Sequence, residues 1–301
     1  MRWALLLQLL ASLPNGQAEE HCSLLQAKTA AAALQVERPY FDLLIVVPSN
    51  PQQLALRSAV RQGWGRYLNE TGHCPRCNSN RTVKLLFGVG PLPEWMKNQS
   101  TGEREKDLAV LPIVADEYHS LTEKIRNLIA YALENYRFAL LLKADTDSFI
   151  FMDRVLRTLE QKSLFEQQDL YAGGLIRRVK PIVNLKDRHA KWADLHYTNL
   201  TGHKRFPHYA GGFGYFLSPS LCRYIATHKT SPMLPELTAL ANEDASVGFW
   251  LQPVQHQEVY LPVSKNTTGC HDRDVMIDHE ISKERMLHRG KKLMKQGDPC
   301  S

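Results

Sequence analysis

The chain has 301 residues, of which 44% are hydrophobic, a length and composition that favour one large α/β domain. Its formal net charge of +6 would suit a polyanionic partner, but basic residues are scattered and are densest only between Arg285 and Lys295. This distribution argues against a nucleic-acid-binding module.

The N-terminal segment predicts entry into the secretory pathway. Met1 to Leu13 contains one Arg and then an apolar stretch too short to span a bilayer comfortably. We therefore interpret residues 1–18 as a signal peptide or short signal-anchor, 19–38 as a stem and 39–301 as a single domain. Any membrane attachment would pass through the N-terminal segment, if it is not cleaved.

Two other features agree with a secretory location. Five N-x-S/T triplets would be glycosylation acceptors only in the lumen, and they begin at Asn69, Asn80, Asn98, Asn199 and Asn266. Six cysteines favour disulfides there, although their pairing stays open. Cys74 and Cys77 have redox-motif spacing, but their polar loop and the lack of a second such pair favour a structural disulfide over redox or zinc chemistry.

The first elements in chain order indicate a βαβ unit. Tyr40 to Val47 has the pattern of a buried strand, and the Pro48 to Pro51 turn leads into a helical pattern that ends near Trp64. Arg57 and Arg61 share one face of that helix. They are either solvated surface charges or guanidiniums that hold a diphosphate.

The next elements continue the alternation. Val83 to Val89 and Leu108 to Val114 are predicted strands, and Pro112 indicates an edge position for the second. A predicted helix ending near Asn135 leads into an apolar run from Phe138 to Leu142. The alternation predicts an α/β sandwich with a mostly parallel sheet.

An acidic pair, Asp145 and Asp147, follows that apolar run. Ligands gather outside the carboxyl ends of strands in such sheets, and carboxylates suit Mg²⁺ or Mn²⁺ bridging a diphosphate. The alternative is a polar turn with Asx hydrogen bonds.

The second half of the chain contains three further candidate regions. A helix at Met152 to Gln161 and a strand at Asp169 to Leu175 precede a loop-like segment, residues 177–203. Glycines and aromatic residues from Tyr209 to Tyr215 then predict either the wall of a sugar pocket or a β-bulge.

Glu243 and Asp244 stand at a predicted helix start. Their carboxylates either stabilise the helix by interacting with its dipole or supply a general base. His279 is either a surface or capping residue or a ligand, and a basic amphipathic helix is predicted at Ser282 to Lys295.

Four ordered blocks resemble the inverting β1,3-glycosyltransferases of the Golgi. These blocks are Leu56–Trp64, Asp116–Lys124, Lys143–Phe149, and Tyr209–Tyr215 together with Glu243–Gly248. The resemblance implies a GT-A type nucleotide-sugar-binding fold, a UDP-sugar donor, a Mn²⁺ ion and inversion at the anomeric carbon.

The resemblance also implies roles for individual residues. Asp145, Asp147 and His279 would hold the metal, and Asp244 would deprotonate the acceptor hydroxyl. The residues expected on the donor side are Arg57, Arg61, Asp116 and Lys124. The residues expected in the acceptor or sugar pocket are Tyr209, Gly211, Gly212 and Glu243.

Three further stretches, Glu243–Val254, Gly269–Cys270 and Asp278–His279, precede the acid- and base-rich terminal helix. On these residues the chain most resembles, within the family, the galactosyltransferase branch that builds the glycosaminoglycan–protein linkage region. This implies transfer of galactose from UDP-galactose to a glycan acceptor on a proteoglycan or glycoprotein in the Golgi lumen, by a type II membrane-anchored or released enzyme. Transfer of GalNAc or GlcNAc, and a catalytically silent carbohydrate-binding relative, are the alternatives.

Two positions depart from the family pattern. Thr146 stands where the family usually has an acid, which leaves both ends of the acidic motif intact. Gly63 replaces a usual Thr and is expected to loosen the turn before Trp64.

Overall fold

Apolar segments of the chain form a central sheet whose strands are mostly parallel. The computed structural model describes residues 38–97, 105–113, 120–176, 179, 194–228, 240, 242–264 and 268–301. Within these residues seven strands join in the order β3-β2-β1-β4-β7-β6-β8, and β7 is antiparallel to both its neighbours. They are β1 (Tyr40–Pro48), β2 (Val83–Val89), β3 (Leu108–Val110), β4 (Arg137–Ala144), β6 (Leu170–Ile176), β7 (Tyr209–Leu217) and β8 (Gln257–Tyr260).

A second, smaller sheet lies beside the first. Its order is β5-β10-β9, formed by β5 (Phe149–Ile150), β9 (Val263–Ser264) and β10 (Ile277–Asp278). The middle strand, β10, is antiparallel to β5 and parallel to β9. This sheet therefore joins the segment after the acidic motif to the C-terminal part of the chain.

Helices cover both faces of the central sheet. They are α1 (Leu54–Gln62), α2 (Glu94–Lys97), α3 (Leu121–Asn135), α4 (Met152–Gln161), α5 (Leu195–Thr201), α6 (Pro219–Thr227), α7 (Glu243–Leu251) and α8 (Lys283–Gln296). Successive side chains of a strand point to opposite faces. Accordingly Leu43, Ile45 and Val47 of β1 pack with α1, α4 and α8, whereas Leu44 and Val46 pack with α3, α6 and α7.

The predicted α/β class with a mostly parallel sheet flanked by helices is confirmed. The predicted edge position of the Leu108 strand is also confirmed, since β3 ends the sheet order. One prediction needs correction: the loop-like segment at 177–203 contains α5, whose sequence has Leu195, Tyr197 and Leu200 among polar residues. The Tyr209 segment is strand β7, and its register with β6 shifts between Gly173 and Leu175, as the β-bulge alternative predicts.

Gly63 allows two helices to approach closely, which differs from the loosening that we expected. A Cβ atom at this position would lie 2.6 Å from Met286 Cγ and 2.9 Å from the Ala59 carbonyl oxygen. Gly290 of α8 faces the same spot, because a Cβ there would overlap the carbonyl oxygen of Gln62. The two glycines let α8 pack directly on the end of α1.

Two disulfides are present in the described residues, Cys74–Cys77 and Cys270–Cys300. The first confirms the structural disulfide predicted for the polar loop. Cys222 is a buried thiol on α6, and Cys22 lies outside the described residues. Among the helices that the structure describes, none has the length and apolar character needed to cross a membrane.

Candidate active site

The acidic motif occupies the turn between β4 and β5. The Ser148 backbone N–H donates to the Asp145 carbonyl oxygen at 3.1 Å, which closes the turn. Beneath it, the indole N–H of the fully buried Trp64 donates to the Ser148 carbonyl oxygen at 3.0 Å. The two carboxylates therefore project from a turn that is fixed to the protein core.

His279 reaches this turn through the small sheet. Asp278 pairs with Phe149, so the residue after Asp278 lies beside the acidic motif. The imidazole Nδ1 of His279 lies 3.3 Å from Asp147 Oδ1, and the ligand atoms of Asp145, Asp147 and His279 lie within 4.8 Å of one another. The structure thus brings the three predicted metal residues together across more than 130 positions of sequence.

The donor set of this cluster fits a divalent cation. Two carboxylates and one imidazole are ligands that Mn²⁺ and related ions accept. The Asp147 side chain is 46% exposed and that of Asp145 is 29% exposed, so an ion has access to both carboxylates. Burial and the neighbouring Asp145 raise the pKa of Asp147, although His279 opposes the shift. Metal binding by these residues remains a prediction.

A buried ion pair stabilises β10, the strand that immediately precedes His279. Asp278 Oδ2 accepts a hydrogen bond from Arg289 Nη1 at 2.8 Å, and Asp278 Oδ1 accepts one from the Gly269 N–H at 2.8 Å. Arg289 also lies 5.1 Å above the ring of Phe149. The C-terminal helix therefore holds the segment that carries the imidazole.

The carboxylate of Asp244 lies in the first turn of α7, on the side of β7. Gly212 donates its N–H to Asp244 Oδ2 at 3.0 Å, and Ala245 donates its N–H to Asp244 Oδ1 at 2.9 Å. Burial raises the pKa of Asp244, whereas Lys143 and the two N–H donors oppose this shift. A carboxylate with a raised pKa and a fixed orientation is suited to accept a proton.

Lys143 lies between the acidic motif and the two carboxylates at the start of α7, Glu243 and Asp244. Its ammonium Nζ lies 2.8 Å from Asp145 Oδ1 and 2.9 Å from Glu243 Oε2, and it donates to the Gly212 carbonyl oxygen at 2.6 Å. Tyr215 donates its hydroxyl to the other oxygen of Glu243. Burial raises the pKa of Glu243 to about 7, although Lys143 opposes the shift.

The predicted donor-side residues converge on the turn after β1. Arg57 is fully buried and donates to the Asn50 carbonyl oxygen at 2.5 Å and to Glu105 at 2.7 Å. Lys124 Nζ donates to the Ser49 carbonyl oxygen at 2.6 Å, and burial lowers its pKa to about 8.

The second guanidinium of the predicted diphosphate pair has carboxylate partners of its own. Arg61 binds Glu105 and Asp107, each at 2.6 Å. Both arginines are therefore in ion pairs, and of the two only Arg57 is shown to contact the turn after β1. A donor-binding role for them remains a prediction. Asp116 lies outside the described residues.

The residues predicted to form a sugar pocket lie along β7 and the start of α7. Gly211 is covered by the Phe213 ring, since a Cβ there would overlap the ring edge. Gly212 lies against Lys143, Glu243 and Asp244, which would all be within 3.5 Å of an added Cβ.

A cavity of about 420 Å³ opens one helical turn further along α7. Its lining includes Tyr197, Phe206, His208, Gly248, Gln252 and His256. It adjoins the predicted pocket at Tyr209, the residue after His208, but none of Asp145, Asp147 and Asp244 lines it. The cavity is therefore distinct from the two groups of carboxylates.

Sequence reasoning gave no role to Lys143, Trp64, Ser148 or Tyr215. For Lys143 a signal was present, because a charged residue within a strand buried on both faces requires partners of opposite charge. The contacts of Trp64 and Ser148 depend on the tertiary fold, and no sequence pattern indicates them.

The predicted glycosylation sites remain untested. Asn69, Asn80 and Asn199 are exposed, as an acceptor site requires, and Asn98 and Asn266 lie outside the described residues.

The sequence profile of the family described as galactosyltransferase matches residues 55–261, more than half of the chain. This chain therefore belongs to the galactosyltransferase family, and it is a glycosyltransferase.

Individual relatives span several sugar specificities. Mouse beta-1,3-galactosyltransferase 6 is 28% identical over 86% of this chain and 75% of its own length. The Xenopus laevis UDP-GalNAc:beta-1,3-N-acetylgalactosaminyltransferase 2 is 30% identical over 62% of this chain but 35% of its own length. Mouse N-acetyllactosaminide beta-1,3-N-acetylglucosaminyltransferase 4 is 30% identical over 71% of this chain and 58% of its own length.

Solved structures of glycosyltransferases are more distant. The galactosyltransferase LgtC, in complex with donor and acceptor sugar analogues, matches with a TM-score of 0.42 and 10% identity, over 83% of this chain and 95% of its own. Mouse xyloside xylosyltransferase 1 matches with a TM-score of 0.41 and 11% identity, over 80% of this chain and 97% of its own.

Proposed function

We propose that this chain transfers galactose from UDP-galactose in β1,3 linkage to a galactose-terminated acceptor of the glycosaminoglycan–protein linkage region, with inversion and with Mn²⁺. The observation that carries the proposal is the presence of two distinct carboxylate sites in a member of the galactosyltransferase family. One site, Asp145, Asp147 and His279, has a metal donor set, and the other, Asp244, is oriented by two backbone N–H groups.

Asp145, Asp147 and His279 would hold the metal, which when bound neutralises the diphosphate and stabilises charge on the departing UDP. The acceptor hydroxyl oxygen forms a bond to the anomeric carbon while the bond from that carbon to the UDP oxygen breaks. The hydroxyl proton passes to the Asp244 carboxylate. Attack from the face opposite to the leaving group inverts the anomeric centre.

Asp244→Asn tests the proton-acceptor role. It keeps the shape of the side chain and removes the basic oxygen, so we expect kcat to fall about 10²- to 10⁴-fold. The assay is transfer from UDP-galactose to a galactosyl-xyloside, and the matched control is Asp169→Asn, an exposed carboxylate just before β6. Undiminished transfer by Asp244→Asn would remove this residue from the mechanism.

Metal removal tests the other carboxylate site. Chelation should abolish transfer and added Mn²⁺ should restore it. In His279→Ala we expect weaker Mn²⁺ binding, measured by electron paramagnetic resonance in the absence of sugars. Full transfer by the chelated enzyme would contradict the metal assignment.

Transfer of GalNAc or GlcNAc is the second candidate, since two of the relatives are named for those activities. A donor panel of UDP-galactose, UDP-GalNAc and UDP-GlcNAc distinguishes the possibilities. Release of no UDP from any donor, together with binding to a sugar array, would instead indicate a carbohydrate-binding relative.

We also infer that the enzyme works in the Golgi lumen, where its glycan acceptor would be found. The two disulfides and the exposed Asn69, Asn80 and Asn199 triplets support a secretory location. Loss of apparent mass on treatment with an N-glycosidase would test this inference in secreting cells.

A further inference from the structure

Lys143 is a buried cation in the central sheet. It is the next-to-last residue of β4 and follows Leu140, Leu141 and Leu142, which are all fully buried. Its own side chain is 1% exposed. A lone ammonium in such a place would lose its hydration without compensation, so its partners determine whether it is tolerated.

Three oxygen acceptors surround this ammonium, and they belong to three different segments. Asp145 lies in the turn that carries the metal-type cluster, Glu243 begins α7, and the Gly212 carbonyl belongs to β7. An ammonium has three N–H donors and no acceptor. The three contacts of Lys143 therefore match its donor capacity.

The same contacts reach Asp244 through the backbone. Gly212 accepts from Lys143 with its carbonyl oxygen and donates its N–H to Asp244 Oδ2. Glu243 accepts from Lys143 and immediately precedes Asp244 in α7. Two short connections thus run from the ammonium to the residue that we place as the proton acceptor.

We propose that Lys143 is a positioning residue that fixes the separation between the metal side of the site, through Asp145, and the base side, through Gly212 and Glu243. The inference rests on the proposed function. The chemical reason is that in-line attack needs the metal-held donor and the base at a set distance, and a misplacement of about 1 Å costs about 100-fold in rate.

A merely neutralising role is the alternative. Lys143 would then serve only to pair the buried Glu243, and a protein with both groups made neutral would work normally. The two roles can be separated, because the neutral pair Lys143→Met and Glu243→Gln removes the buried charges but does not restore the link to Asp145.

The experiment compares Lys143→Met, Glu243→Gln and the double variant with the wild type. Lys84→Met, a partly exposed lysine on β2 of the same sheet, is the matched control. We expect Lys143→Met to lower kcat about 100-fold with the donor KM changed less than about threefold, and to lower the thermal midpoint. The double variant should recover most of the midpoint while its kcat remains about 100-fold low.

Two results would overturn the proposal: a kcat of Lys143→Met within about threefold of wild type, or recovery of wild-type turnover in the double variant. The second result would establish the neutralising role.

Mn²⁺ affinity, measured by electron paramagnetic resonance without sugars, separates this inference from the proposed function. Removing a cation beside Asp145 should tighten Mn²⁺ binding at least about tenfold, because the ammonium then no longer repels the ion. If the wild type transfers no sugar from any donor, the proposed function fails. The Mn²⁺ affinity then still tests the link between Lys143 and Asp145, because unchanged or weaker Mn²⁺ binding in Lys143→Met would refute it.

Discussion

The buried ion pair between Asp278 and Arg289, beside His279, gives a quantitative prediction about the free energy of unfolding. The Asp278 side chain is fully buried and that of Arg289 is 6% exposed. Removal of one partner of a buried pair costs about 3–5 kcal/mol, because it leaves a charge without compensation. Asp278 keeps the Gly269 N–H as a donor, so we expect Arg289→Met to lower the free energy of unfolding by about 3 kcal/mol.

Urea denaturation of the metal-free protein measures this loss, and the thermal midpoint should fall by about 5 °C. Lys291→Met is the matched control, since this lysine is exposed on the same helix. Asp278→Asn combined with Arg289→Met should be less destabilising than Arg289→Met alone, because no charge is left buried. A loss within about 1 kcal/mol of the control would refute the reasoning.

Three further predictions follow from the packing, the charges and the covalent links. Gly63→Thr should cost about 1–3 kcal/mol by overpacking, and a smaller residue at Met286 should recover part of that loss in a double-mutant cycle. The carboxyl of Glu243 has a raised pKa, so the folded state binds more protons than the unfolded state between about pH 4.5 and 7. Stability should therefore fall with rising pH in that window, by up to about 1.4 kcal/mol per pH unit, and equilibrium unfolding at several pH values should show a smaller fall in Glu243→Gln. Replacing Cys270 and Cys300 by Ser should lower the free energy of unfolding by about 3–4 kcal/mol, since the disulfide closes a loop with a sequence separation of 30; denaturant curves with an unchanged midpoint would contradict this.

Local sequence patterns were sufficient where a property depends on neighbouring residues. The strand at Val83–Val89 and the helix at Met152–Gln161 were predicted with their observed bounds, because apolar spacing determines both elements. The Tyr209 segment was ambiguous, since glycines and aromatic residues occur in pockets and in β-bulges alike. Its pairing with β4 and β6, including the register shift between Gly173 and Leu175, is a long-range property that no local pattern predicts.

The candidate site was predictable from sequence only in part. The residue types of Asp145 and Asp147 predict a metal site, but the family resemblance was needed to predict His279 as a ligand and to choose Asp244 as the base. The role of Lys143 depends on contacts 69 and 100 positions away, which no local pattern encodes.

The C-terminal segment is therefore an integral part of the site. The family profile ends at residue 261, yet His279, which supplies the imidazole of the metal-type cluster, lies beyond it. The position of this residue depends on β10, on the Asp278–Arg289 pair and on the packing of α8 against α1 through Gly63 and Gly290. A substitution on α8, far from any substrate, is thus expected to weaken metal binding. The reason is that only a short stretch of backbone separates His279 from the start of this helix.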